Sequence, residues 1–275
     1  MHVKKAQSRR ESIQKKAVAV VLLLIIVFSA VIILVNFDNF APRHAINQVY
    51  EPTIPSADEK VVCIAFDDGW KSHVEVALAL EAYNFTATFP IVTSYVGYSA
   101  YMSWQEIASL AKRGHDIVSH THTHANLSAV DSAVLEAELV QSREILRSKG
   151  YAADVLVYPY GEAADNTTVR NAVAKTYLLA RGTQTGKCDV TFVNRYNVNS
   201  YGIYSNTSLT VFASYLSGTK GNNVTLLEYN RVGDGDTDTT VSMTNFQEQM
   251  QYLKDNGYTV MTISELFLKE AQATA

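Results

Sequence analysis

At 275 residues the chain is long enough for one large domain with a sizeable core. Its net charge of −4 hides an asymmetry: six lysines and arginines against one glutamate put +5 on residues 1–16 and leave −9 for the rest. An acidic remainder of that size argues against nucleic acid as a partner.

After the basic start, Ala17 to Val35 runs 19 positions without a charge, mostly Val, Leu and Ile. That length spans the hydrocarbon core of a bilayer, and a basic flank belongs on the cytoplasmic side. The expectation is a single-pass signal-anchor, with residues 1–16 cytoplasmic, 17–35 transmembrane and the rest extracellular. A cleaved signal peptide is the rival reading, but its apolar stretch is about 7–15 residues. No small-x-small cleavage site stands clearly after Val35. Residues 36–59, with Pro42, Pro52 and Pro55, read as a linker. Residues 60–275 read as the folded domain.

From Lys60 onward, strand patterns at 60–66, 86–92, 115–119, 154–158, 177–180, 223–229 and 258–262 alternate with helix patterns. The helices are expected at 71–83, 103–113, 131–149, 165–176, 208–217, 243–256 and 264–272. Ser103 with Glu106 makes a capping box, and Asp131 stands just before another helix. Gly114, Gly150 and Gly257 sit where helices should stop. Strands alternating with helices imply parallel pairing, in a barrel or a doubly wound sheet. Seven such units point to a barrel near the eight-fold type. Cys63 reads as a small core residue, and a Cys63–Cys188 disulfide is allowed but not demanded.

In such barrels chemistry sits at the carboxyl ends of the strands, and the unusual polar residues fall there. Val61-Val62-Cys63-Ile64-Ala65-Phe66 runs straight into Asp67-Asp68-Gly69-Trp70. Two adjacent carboxylates raise each other's pKa and cost folding energy, so something must gain from the pair, and a metal with a reaction is the usual beneficiary. The third strand pattern, 115–119, runs into His120-Thr121-His122-Thr123-His124. On a strand all three histidines would share a face; on a helix only His120 and His124 would. Asp68, His120 and His124 offer a carboxylate and two imidazoles. That set suits zinc, or cobalt, nickel, manganese or iron, with a position left open for water. A metal phosphoesterase is a weaker alternative, because such sites often use two metals and ligands for one are found. Asp234-Gly235-Asp236-Thr237-Asp238 starts like a calcium loop. It has Thr239 at the sixth position and Asn245 at the twelfth, so it reads as a solvated acidic loop.

Phe66-Asp67-Asp68-Gly69 and His120-Thr121-x-x-His124 resemble the first two motifs of the polysaccharide deacetylases, the NodB homology domain of carbohydrate esterase family 4. Tyr158-Pro159-Tyr160-Gly161 is similar to the third, and the resemblance runs from about residue 60 to 268. It implies a distorted barrel, here of (β/α)7 type behind an N-terminal transmembrane helix. It also implies removal of acetyl groups from N-acetylated sugars, with an acetylated amino-sugar polymer as partner. By the same resemblance Asp67 is the general base, Asp68, His120 and His124 hold one divalent metal, and the Tyr160 N–H helps bind the oxyanion. Thr121 and His122 are expected behind the ligands. Trp70, Tyr158 and Tyr160 are candidate sugar contacts.

Two positions depart from the pattern. The arginine that opens the third motif and pairs with the base is replaced by Val157; members acting on poly-N-acetylglucosamine also lack it. Arg195 is a candidate for the missing charge. In Leu226-Leu227-Glu228-Tyr229-Asn230-Arg231-Val232, Asn230 aligns with the family's acid histidine. An amide cannot protonate a leaving amine, and losing a general acid costs about 10²–10⁴-fold in rate. His122, water or Asp67 returning its proton are the substitutes; the alternative is a carbohydrate-binding relative without turnover.

Overall fold

The computed structural model describes residues 50–191 and 193–270. The expected tail and anchor, residues 1–16 and 17–35, lie outside these. Among the described residues no helix is long and apolar enough to cross a membrane.

The strands, in chain order, are β1 (Tyr50–Glu51), β2 (Val61–Phe66), β3 (Thr88–Ile91), β4 (Asp116–Ser119), β5 (Val155–Val157), β6 (Leu179–Thr185), β7 (Cys188–Asp189), β8 (Val198–Ile203), β9 (Asn223–Tyr229), β10 (Arg231–Val232), β11 (Thr240–Val241), β12 (Thr259–Met261) and β13 (Lys269–Glu270). The α-helices are α1 (His73–Glu81), α2 (Trp104–Lys112), α3 (Ser132–Ser148), α4 (Thr167–Thr176), α5 (Leu209–Leu216), α6 (Met243–Asp255) and α7 (Ile263–Phe267). Helix starts follow their caps. Ser103 and Glu106 form the expected capping box on α2, and Asp131 accepts from Ala133 and Val134 N–H at the head of α3.

Strands β2, β3, β4, β5, β6, β8 and β9 pair in parallel, in that order, and β9 closes onto β2. This is a closed seven-stranded barrel. The number agrees with the sequence reading but the membership does not. The expected strand at 258–262 became β12, which pairs only with the first half of β2, Thr259↔Val61 to Met261↔Cys63. Beyond that point β3 takes over the same strand at Ala65↔Thr88. The seventh ring strand is β8, which the sequence reading missed. Its Val198-Asn199-Ser200-Tyr201-Gly202-Ile203 lacks the continuous apolar run expected of a strand buried on both faces. Tyr50 and Glu51, inside the expected linker, pair antiparallel with Glu270 and Lys269.

Side chains alternate across each strand, and the two faces go to different cores. Val61, Cys63, Ala65, Val118, Val155, Val157, Leu179, Val198, Val224 and Leu226 pack together inside the barrel. Val62, Ile64 and Phe66 pack outward against α1 and α6. Cys63 and Cys188 are both buried free thiols, so the allowed disulfide is not formed. Continuing the inward-facing sets by two residues gives Asp67, His120, Arg181, Ser200 and Glu228. The barrel interior is therefore apolar below and charged at its carboxyl end.

Candidate active site

After β2 the chain turns sharply, and Asp68 takes φ 76. Thr121 at φ 65, His124 at φ 63 and Tyr160 at φ 60 are also left-handed without being glycine. Such backbone costs about 1–3 kcal/mol per residue and persists where the surroundings impose it. Gly161, beside Tyr160, has no alternative: at φ 70 an added Cβ would lie 1.8 Å from Thr183 Oγ1.

These turns bring three ligand atoms to one point. Asp68 Oδ1 lies 3.3 Å from His120 Nε2 and 3.3 Å from His124 Nε2, and the two nitrogens are 3.2 Å apart. His120 Nδ1–H donates to Val157 O at 2.8 Å, which leaves Nε2 bare for a ligand. His124 Nδ1 is 3.1 Å from the Tyr160 hydroxyl. The other oxygen of Asp68 accepts the Trp70 indole N–H at 3.0 Å. One carboxylate oxygen and two bare imidazole nitrogens, each held from behind, fit a divalent cation. Burial alone would raise the Asp68 carboxyl, but hydrogen bonds from both histidines hold it below the usual carboxylate range. Burial likewise lowers His120, and Asp68 more than reverses this. A proton therefore competes for the place that suits a metal.

The histidine loop hangs from α3. Buried Glu138 accepts His122 N–H at 2.9 Å, Thr123 N–H at 2.8 Å and the Thr123 hydroxyl at 2.5 Å. Thr121 Oγ1 accepts the His124 N–H at 3.1 Å. His122 stays out of the ligand trio; its Nδ1 is 2.9 Å from Thr93 Oγ1.

Asp67 belongs to a different network. Its N–H donates to Tyr229 O at 2.8 Å, tying it to the end of β9. Its Oδ2 accepts from Arg181 Nη2, and Nη1 of the same guanidinium donates to Glu228 Oε2. The Ser200 hydroxyl lies 2.6 Å from that Glu228 oxygen. All four residues are buried. Burial would lower Arg181, but Asp67 and Glu228 together raise it, so it stays charged. Burial pushes the Glu228 carboxyl up, against the pull of Arg181. Asp67 Oδ1 is buried without a partner among the described residues.

Several expected residues lie elsewhere. Arg195 does not supply the missing charge: its Nε donates to Leu178 O at 3.3 Å, and Asp67 is met by Arg181 instead. Arg181 is the register partner of Val157, so the charge comes from the next strand over. Tyr158 is no sugar contact; it is buried in the outer layer, and its hydroxyl donates to Tyr196 O at 3.1 Å. Trp70 stacks on Tyr101 at 4.6 Å, with the Arg231 guanidinium 5.5 Å from its ring centre, so the ring is spent on packing and its N–H on Asp68. Asn230 meets buried His73 through its backbone, the imidazole Nε2–H donating to Asn230 O at 2.8 Å. Tyr160 is 59% exposed, with its ring 4.6 Å from His124, and stays available to a ligand.

The sequence reading missed Arg181 and the tyrosines beside the trio, and it placed Glu228 at a strand end without giving it a role. Tyr95 lies 4.7 Å from Tyr101 and 6.4 Å from His124, ring to ring, and Tyr98 beside it is 63% exposed. The three-residue spacing of Tyr95, Tyr98 and Tyr101 was the available signal. For Glu228 the signal was a lone acid inside an apolar strand.

Residues 55–178 match the family model described as Polysaccharide deacetylase. YxkH of Bacillus subtilis, whose name places it provisionally among the polysaccharide deacetylases, is 24% identical over 133 residues, 48% of this chain and 47% of that protein. A peptidoglycan-N-acetylglucosamine deacetylase of Bacillus cereus is 32% identical over 108 residues, 38% of each. The chain thus spans about half or less of the curated relatives it matches. A family 4 carbohydrate esterase from Streptomyces lividans, solved with acetate, shares the fold at TM-score 0.55 and 18% identity, over 78% of this chain and 98% of that one.

Proposed function

The chain carries a polysaccharide deacetylase domain, and from that premise we propose that it is a metal-dependent hydrolase removing N-acetyl groups from an acetylated amino-sugar polymer. The observation that carries the reading is the convergence of Asp68, His120 and His124 beside a separately held Asp67. A divalent metal, zinc by the donor set, supplies Lewis-acid chemistry there, acidifying water and polarising an amide carbonyl. Asp67 Oδ1, which no donor among the described residues occupies, takes a proton from the attacking water. The Tyr160 N–H receives the developing negative charge on the carbonyl oxygen. As the C–N bond breaks, Asp67 returns the proton to the leaving nitrogen, which gives a free amine and acetate. This route needs no acid at Asn230.

A glycan-binding relative without turnover rests on Val157 and Asn230. Arg181 beside Asp67 removes the first of these motives, so the enzyme reading is preferred. Tyr160 and Tyr98, the exposed rings, are the sugar platform on this reading. Residues 17–35 serve as the membrane anchor, with the domain outside the cell. Metal-loaded full-length protein should release acetate from an N-acetylglucosamine oligomer, and Asp68→Ala should lose both the metal and the release. No metal-dependent acetate from a panel of acetylated glycans would sink the proposal.

A further inference from the structure

We propose that Arg181, which lies outside the motif segments of this chain, and Glu228, two residues before Asn230, are the positioning residues for Asp67. Glu228 holds the guanidinium, and the guanidinium holds one carboxylate oxygen so that the other faces the reacting water. The inference rests on the deacetylase reading for the identity of that water, but the geometry stands without it.

A guanidinium presents its N–H groups in a rigid fork. Here two terminal nitrogens of Arg181 serve two carboxylates, Oδ2 of Asp67 and Oε2 of Glu228. Nη1 also reaches Gly182 O at 3.4 Å, so Glu228 is the charged partner that fixes the far side of the fork. Glu228 is held in turn by the hydroxyl of Ser200, 2.6 Å from Oε2. That hydroxyl has one hydrogen and also lies 3.0 Å from Gly182 O; the nearer, charged acceptor takes it. The chain of contacts thus runs Ser200, Glu228, Arg181, Asp67 across β8, β9 and β6 to the end of β2. It leaves Asp67 with two unequal oxygens. Oδ2 is occupied, whereas Oδ1 is buried and has no partner among the described residues. A buried polar atom without a partner calls for an explanation, and a place for water is the simplest. The pinned oxygen decides where that water can sit.

β8 and the second half of β6 make sense on this account. Ser200, Arg181 and Glu228 all come from inward positions where the barrel otherwise carries Val and Leu. A buried ion-pair cluster is weak evidence for stability by itself, which leaves a positioning role as its use.

The test compares Arg181→Met and Glu228→Gln with the full-length wild type, each metal-loaded, using an N-acetylglucosamine tetramer as probe. Arg181→Met should lower kcat by about 10²-fold, the scale of misplacing a reacting group. KM and the metal bound per chain should stay within about 2-fold of wild type. Glu228→Gln, whose amide oxygen still accepts from Arg181, should lose less, about 10-fold. Because Arg181 acts through Asp67, adding Arg181→Met to Asp67→Asn should cost nothing further. A full extra loss in that background would mean a general structural role and overturn the proposal. So would wild-type kcat in Arg181→Met. A crystal structure of Arg181→Met gives an answer independent of turnover: the Asp67 carboxylate should rotate. A carboxylate left in place would overturn the proposal even if the protein deacetylates. An inactive wild type with a rotated carboxylate would instead overturn only the deacetylase reading.

Discussion

At the corner proposed to hold the metal, His120 and His124 are four residues apart and Asp68 comes from another segment. Around Asp67, Arg181 lies 114 residues from Asp67 and 47 from Glu228, and both ion pairs cross strands. The first corner is made by turns that bend the backbone into left-handed conformations. The second is made by straight strands whose inward side chains change from apolar to charged. Local chain geometry therefore sets the proposed metal site, whereas barrel closure sets the surroundings of the proposed base. Damage to the two should look different.

The largest separation comes from the ligands. Asp68→Ala should lose the metal and bring acetate release to the level of metal-free protein, while the fold, read by circular dichroism, is kept. Glu138→Ala attacks the support of the same corner. It strips the acceptor from His122 and Thr123 N–H, so metal affinity measured by competition should fall about 10–100-fold. Loss of stability should be about 1–3 kcal/mol.

On the other side, His73 joins α1 to the end of β9 through Asn230 O. Burial pushes its pKa down to about 4 from 6.5. A group with a depressed folded pKa stabilises above its unfolded value and loses that contribution as pH falls toward the folded one. The metal-free wild type should therefore lose about 2–3 kcal/mol more than His73→Asn between pH 7 and pH 4.5. Denaturant unfolding at the two pH values checks this; equal losses would mean that His73 is not buried neutral. The smallest effect is expected at Asn230, which meets His73 through its backbone. Asn230→Ala should change kcat by less than about 3-fold. A large loss there would mean that the Asn230 side chain meets the substrate.

The same contrast explains what could be read in advance. Asp68, His120 and His124 sit in short segments whose composition and spacing carry the chemistry. The caps at Ser103 and Asp131 and the stops at Gly114, Gly150 and Gly257 are also local, and they fell into place. Arg181 was hidden because Leu179-Ala180-Arg181-Gly182-Thr183 reads as the start of a loop, yet β6 runs to Thr185. Its role depends on lying opposite Val157, a register that only barrel closure sets. β8 was missed for a related reason: Ser200 is polar where a core strand should be apolar, because it serves Glu228. Tyr158 and Trp70 look like sugar-binding aromatics in sequence. One faces the helix layer and the other is used up on Tyr101 and Asp68.

The central claim is that Asp67 does chemistry and Asp68 holds metal, although they are neighbours in the chain. Metal content and acetate release, measured together on Asp67→Asn, test it most directly. The account predicts one metal per chain, as in wild type, with acetate release from the N-acetylglucosamine tetramer lowered by about 10²–10⁴-fold. Loss of the metal from Asp67→Asn, or release at the wild-type rate, would contradict it.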